Sequence, residues 1–249
     1  MATTGRPIRR LGRSTAVLFA LTIAAALSIS APAAEAVPQY ARLSNMTTAT
    51  RWAYPMGEAV VRSSPSGQSR PVGRLRYLTG DEQAELYVVL ASARVRHGQT
   101  WLQVEVPGRP NGRTGWVPRR ALGSLHLIDG YLHVDESKLE VTLYRDGKAI
   151  FSAPVGVGKA STVTPTGHFY VMEKLRTINA PIYGPYAIGT SAYAPTLSEW
   201  PGGGIVGIHG TNEPQLIPGR PSHGCVRMRN ADVARLWKII QLGTPIDIT

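Results

Sequence analysis

Four side chains able to do thiol chemistry lie within 19 residues of one another: His209, His223, Cys225 and Arg227, in the stretch "IHGTNEPQLIPGRPSHGCVRM" from Ile208 to Met228. Cys225 is the only cysteine among 249 residues, so it cannot staple its own chain. A thiol becomes a nucleophile when a neighbouring base or cation draws off its proton, and imidazole and guanidinium are both at hand. Cys225 and Arg227 are two apart, which in extended chain projects them from one face. Gly224 allows a turn or a close backbone approach beside the thiol. Either histidine could be the base. His223 stands two residues before Cys225 and shares its face if the chain is extended. His209 ends the apolar run "GIVGIHG" and can reach the thiol through loop closure. Spacing alone leaves the two open. Zinc is the competing chemistry for His and Cys together, but the nearest carboxylate is Glu213 and no CxxC or HExxH accompanies them. The expectation is therefore no metal and no cofactor. Papain-like peptidases run Cys then His, the reverse of the order here. Sortases share the order His, Cys, Arg, but their His lies far upstream and their cysteine motif lacks "SHGC".

Elements that could position these groups are mostly strands. From Leu125 onward, "SLHLIDGYLHVDESKLEVTLYRDGKAIFSAPVGVG" reads as a strand series, with Asp146-Gly147 as a tight hairpin turn. "TPTGHFYVMEKLR" is a further strand and "TPIDIT" a last one. One helix is expected near the C-terminus: Asn230 as N-cap, Val233, Leu236, Trp237 and Ile240 at helical spacing, then Gly243 and Pro245 as the stop. The stretch "NAPIYGPYAIGTSAYAPTLSEWPGGGIVGIHG" reads as loop with short strands. Its Tyr183, Tyr186 and Tyr193 are candidates to line a groove. Upstream, residues 51–123 carry short β runs at close spacing with Gly/Pro turns, the pattern of a small barrel. Residues 37–50 are polar and unpatterned and read as a linker. The fold class is mainly β.

The pattern "HGTNEP…PGRPSHGCVRM" resembles the catalytic motif of the L,D-transpeptidase (YkuD-like) family. "VGVGKASTVTPTGHFYV", "YGPYAIGTSAY" and "RNADVARLWKIIQLGTPIDI" are similar to the same family, so the resemblance spans residues 124–249. Residues 51–123 resemble a bacterial SH3-like domain through "VVRSSPS", "TWLQVEVPG" and "GWVPRRAL". The family resemblance implies Cys225 as nucleophile and His209 as general base, with the Gly210 carbonyl orienting the imidazole. It places His223 beside the nucleophile, where His223, Gly224 and Cys225 supply N–H groups for an oxyanion hole. Ser222, Arg227 and Tyr186 fall on the substrate side. The implied reaction is thioacyl transfer in the bacterial cell wall. It releases D-Ala from a tetrapeptide peptidoglycan stem and forms 3→3 cross-links, with L,D-carboxypeptidase activity if water is the acceptor. Carbapenem-type inhibitors are implied ligands, and the SH3-like part is either a cell-wall or peptide binder through Trp101, Trp116 and neighbouring basic groups or a spacer that packs on the next domain.

Composition sets the location. Arg6, Arg9, Arg10 and Arg13 precede an apolar run, Ser14–Ser30, and then "APAAEAV" with small residues at Ala34 and Ala36. Basic, apolar, small is the order of a secretory signal peptide, and the run is short of the ~20 residues of a spanning helix. Residues 1–36 are the expected leader and the cell envelope the expected destination. Without the leader the chain loses four Arg and one Glu, and the formal charge falls from +11 to +8 on 213 residues. So basic a protein favours anionic partners, outside the cell a wall polymer or membrane surface. No Lys/Arg run is interleaved with aromatics, which argues against nucleic acid.

Overall fold

The computed structural model describes residues 1–5, 39–197 and 201–249. The expected leader lies outside the described residues apart from Met1–Gly5. No helix among the described residues is long and apolar enough to cross a membrane.

The second half of the chain builds a ten-stranded sheet. Its strands are β9 (Gly130–Asp135), β10 (Glu140–Arg145), β11 (Lys148–Pro154), β12 (Gly156–Gly158), β13 (Gly167–Arg176), β14 (Tyr186–Tyr193), β15 (Ile205–His209), β16 (Gly219–Ser222), β17 (Val226–Arg227) and β18 (Pro245–Ile248). Their order is β11-β10-β9-β18-β13-β14-β15-β17-β12-β16. The β10–β11 hairpin closes through Asp146 and Gly147, both at positive φ, the geometry a two-residue turn of matching twist needs. In β9 the buried residues Gly130, Leu132 and Val134 alternate with half-buried Tyr131, His133 and Asp135, the period-two signature of a strand with one face on a core. β13 instead buries five residues in a row, Phe169–Glu173. Both of its faces are covered: Phe169 and Val171 join the main core, while Tyr170 and Met172 join Trp52, Leu86, Val88 and Ile128.

Those last partners belong to the other sheet, built from β1 (Gln39–Arg42), β2 (Thr50–Ala53), β3 (Val60–Arg62), β4 (Pro71–Arg74), β5 (Tyr87–Arg94), β6 (Thr100–Glu105), β7 (Thr114–Pro118) and β8 (His126–Ile128). The order is β4-β3-β7-β6-β5-β2-β8, with β1 also on β5. Ala36–Thr249 form one unit by contacts. Polar bonds join the two sheets as well. Tyr170 Oη donates to Leu86 O at 3.1 Å, Thr79 Oγ1 to Glu173 Oε2 at 2.6 Å, and Ser191 Oγ to Glu105 Oε1 at 3.1 Å.

Three expectations differ from this structure. Residues 37–50 are more than a linker, since β1 pairs antiparallel with β5 and Ser44 is buried with Oγ donating to Val89 O at 2.5 Å. All four β1 side chains are exposed and no apolar alternation announces the strand; its backbone ladder on β5 holds it, with the Tyr40 ring edge-on to Trp116 at 5.6 Å. Trp101 and Trp116 are buried, at 6% and 7% exposure, and pack with Ala93 instead of presenting ring faces to a ligand. Finally, Asn230 is not the N-cap of α1 (Asn230–Ile239) but its first helical residue, and Arg229 holds the cap position without a side-chain bond. Asn230 Oδ1 instead accepts the Thr211 N–H at 2.8 Å, tying the helix to the loop that follows His209. Val233 and Leu236 are buried as the spacing requires, and Trp237 packs 4.8 Å from the Tyr186 ring. Gly243 lies beyond the helix at φ +78°, where a Cβ would collide with the Trp52 ring.

Candidate active site

Alternation along β15 sorts its residues. Val206 and Ile208 enter the core, which leaves Gly207 and His209 on the opposite face. β17 runs parallel to β15, with Ile208 opposite Val226 and His209 opposite Arg227. That register sets Cys225 beside Gly207, and the Gly207 N–H points to Cys225 Sγ at 3.4 Å. Cys225, Arg227 and His209 accordingly share one face and line one cleft of about 360 Å³ with His223, Ser222 and Tyr183. A Cβ at Gly207 would meet His209 Cδ2 at 3.8 Å, an ordinary contact distance, so the position faces the imidazole.

His209 is buried and oriented. Its Nδ1 lies 2.6 Å from Gly210 O. A carbonyl can only accept, so Nδ1 carries the proton and Nε2 is left as the basic nitrogen. The Tyr183 ring packs edge-on against the imidazole, with centroids 4.9 Å apart. Burial pulls the His209 pKa down to about 4, opposed by the Gly210 bond and helped by the Arg227 charge. Burial also pushes the Cys225 thiol up, against the downward pull of the Gly207 N–H and Arg227. Desolvation is the largest cause for both groups, so the resting pair is a neutral thiol and a neutral imidazole.

The turn that presents the thiol is made by Ser222. Its Oγ accepts the Gly224 N–H at 3.1 Å and donates to Cys225 O at 2.6 Å. Ser222 is buried and both of these bonds stay inside the turn, which makes it a local brace at the edge of the cleft. Gly224 has φ +116°, a conformation that other residues adopt only under strain. Its N–H is committed to Ser222, which removes it from the expected oxyanion donors. Arg227 Nη1 donates to Glu213 Oε2 at 3.0 Å, while its buried Nε has no partner among the described residues. His223 is exposed at the cleft, with Nε2 3.1 Å from Lys159 Nζ.

The structure thus gathers Cys225, His209, Gly210, His223, Ser222, Gly224 and Arg227 in one place. Tyr186 is not among them: it packs on Trp237 with Arg176 nearby, and the tyrosine at the cleft is Tyr183. Both are in "YGPYAIG", and with no helix or strand boundary evident there the sequence could not tell which faces the histidine. Among the described residues no group of three His, Cys, Asp or Glu could hold a metal ion.

A family model described as the L,D-transpeptidase catalytic domain matches residues 129–248. A Bacillus subtilis protein carrying the L,D-transpeptidase name, YkuD, is 36% identical over 123 residues, 49% of this chain and 68% of that one. L,D-transpeptidase 1 of Mycobacterium tuberculosis is 26% identical over 157 residues, 53% of this chain and 61% of that one. Among solved structures, the catalytic domain of the Enterococcus faecium L,D-transpeptidase aligns with a TM-score of 0.38 and 26% identity, over 50% of this chain and 99% of that one. In the crystal structure of a mutant of that Enterococcus enzyme, this chain spans 49% of the other chain's length, at a TM-score of 0.37.

Proposed function

This chain belongs to the L,D-transpeptidase family, and from that premise we propose that it is a cysteine acyltransferase acting on peptidoglycan stem peptides in the bacterial cell envelope. The observation that carries the reading is the oriented pair: His209, fixed through Nδ1 on Gly210 O, and Cys225, presented just before β17 with its Sγ at the Gly207 N–H of the same strand as His209.

In this mechanism the thiol is neutral until substrate fills the cleft. His209 Nε2 then accepts the Cys225 proton as Sγ attacks the carbonyl joining the third stem residue to the terminal D-Ala. The carbonyl oxygen becomes an oxyanion, and with the Gly224 N–H held by Ser222 the Cys225 amide is the donor assigned to it. Donors of this kind contribute about 2.7–4 kcal/mol each to a transition state. Collapse returns the proton from His209 to the leaving amine. D-Ala departs, and an acyl thioester stays on Cys225. The amine of a second stem attacks the thioester and regenerates the thiol, leaving a 3→3 cross-link. Arg227 favours the thiolate as it forms and, held by Glu213, borders the carboxylate-bearing end of the stem.

The experiment is product analysis with defined tetrapeptide muropeptides and the full chain. D-Ala and cross-linked dimer are expected, and both are lost in Cys225→Ala. Undiminished activity in that variant sinks the reading. D-Ala without dimer redirects it to L,D-carboxypeptidase activity.

A further inference from the structure

The loop joining β6 to β7, residues 106–113, leaves the N-terminal sheet and ends against the connection between β14 and β15. Arg109 donates to three carbonyls there: Nε to Ala194 O at 3.0 Å, Nη1 to Gly203 O at 2.9 Å and Nη2 to Leu197 O at 3.4 Å. Its Cζ lies 5.3 Å from the centroid of the Tyr193 ring. Two residues on, Asn111 Oδ1 accepts the Tyr193 N–H and Asn111 Nδ2 donates to Tyr193 O, both at 2.9 Å. That is the two-way exchange a neighbouring strand would make, supplied by one side chain. The Ala194 N–H donates to Gly204 O at 2.8 Å, lacing the two ends of the connection together. A side chain at Gly204 would collide with Leu197 O and with Arg109 Nη2.

The backbone held in this way is a wall of the cleft. Ala194, Leu197 and Gly204 line it together with Cys225. Ala194 Cβ is 3.8 Å from where a Cβ on Gly224 would stand, so the wall lies beside the turn that presents the nucleophile. Three carbonyls converging on one point call for a planar cation with separate N–H groups directed at each. An ammonium also has three donors, but it gathers them on one nitrogen at the end of a flexible stem and does not match the spread of these carbonyls as a rigid guanidinium does.

We propose that Arg109, supported by Asn111, is a positioning residue of the active site, through which the N-terminal sheet sets the cleft wall against which the acyl donor lies. The proposal rests on the acyl-transfer reading of that cleft. It gives the N-terminal sheet a part in catalysis that needs no ligand of its own.

The test compares full-length wild type with Arg109→Ala, Arg109→Lys and, as a charge-matched control, the exposed Arg120→Ala. In Arg109→Ala, kcat/KM for the tetrapeptide is expected to fall roughly ten- to hundredfold, the scale of a misplaced substrate. Arg109→Lys should not rescue it, and Arg120→Ala should match wild type. Amide exchange at Tyr193 and Ala194 should quicken at least about tenfold in both Arg109 variants, as a lost local restraint requires. Alkylation of Cys225 by iodoacetamide should keep its rate and pH profile, because the β15–β17 ladder is untouched. Wild-type kcat/KM in Arg109→Ala, rescue by lysine, unchanged exchange, or a parallel fall in alkylation would each overturn the proposal. If wild type itself leaves the tetrapeptide intact, the acyl-transfer reading fails, and the exchange data alone decide whether Arg109 holds the wall. Should Arg109→Ala not fold, Asn111→Ser releases only Tyr193 and is read by the same assays.

Discussion

Replacing Glu105 by glutamine should stabilise the protein in alkaline solution and leave it nearly unchanged in acid. Glu105 ends β6 at the contact between the sheets, 6% exposed, and Ser191 Oγ is the donor to its Oε1. Burial pushes its pKa from 4.5 up to about 8, with the Ser191 bond a smaller opposing effect. Below pH 4.5 the carboxyl is protonated in folded and unfolded chains alike and costs nothing. Between pH 4.5 and 8 the unfolded chain ionises while the folded one stays protonated. Unfolding then releases a proton, so stability falls as pH rises. Three and a half pH units at about 1.36 kcal/mol each come to on the order of 5 kcal/mol by pH 8. Above pH 8 the folded carboxyl ionises too and the deficit stays constant. Glutamine copies the shape of the protonated acid, keeps an acceptor for Ser191 and does not titrate. The assay is urea unfolding of Glu105→Gln and wild type at pH 4.5, 6 and 8, followed by tryptophan fluorescence. The variant should match wild type within about 1 kcal/mol at pH 4.5 and exceed it by about 3–5 kcal/mol at pH 8. Glu173, pushed up to about 7, and His209, pulled down to about 4, titrate in both proteins and cancel in the difference. A difference that is flat across the series, or one that favours wild type as pH rises, refutes the reasoning.

The pH profile of kcat/KM for the tetrapeptide should lose activity only as pH falls through about 4, because His209 must be neutral to accept a proton and burial keeps it so. An acid limb near the ordinary histidine value of 6.5 would place the base elsewhere. Ser222→Ala strips partners from the Gly224 N–H and from Cys225 O, and should cost about 1–3 kcal/mol of stability together with a loss of acylation; thermal melting and D-Ala release measure the two. A carbapenem should form a covalent adduct on Cys225 and none on Cys225→Ala, read by intact mass.

How much the sequence disclosed depended on whether side chains carried the structure. The hairpin at Asp146-Gly147, the helix through Val233 and Leu236, and the strand ending at His209 are written in apolar period and turn chemistry, which act over a few residues. The pairing of His209 with Gly210 O was legible only through family resemblance, since nothing in the spacing separates it from His223. β1 left no trace because its four side chains are exposed and show no apolar alternation. Asn230 misled because its residue type suits a cap, and its actual partner, Thr211, is fixed by the tertiary fold. Arg109 was invisible for the same reason: the carbonyls it binds lie more than 80 residues downstream.

The family match begins at residue 129, yet the compact unit that contains it begins far upstream. Cutting the chain there would strip Trp52, Leu86, Val88 and Ile128 from Tyr170 and Met172 and leave an apolar face on the back of the central strand. In evolutionary terms the two sheets are no longer interchangeable modules. A recombination event that swapped the N-terminal half would have to replace a matching hydrophobic surface, the partner of Glu105 and the three-carbonyl grip of Arg109 in one step. A substitution on one side of that seam should therefore be tolerated best when answered by one on the other.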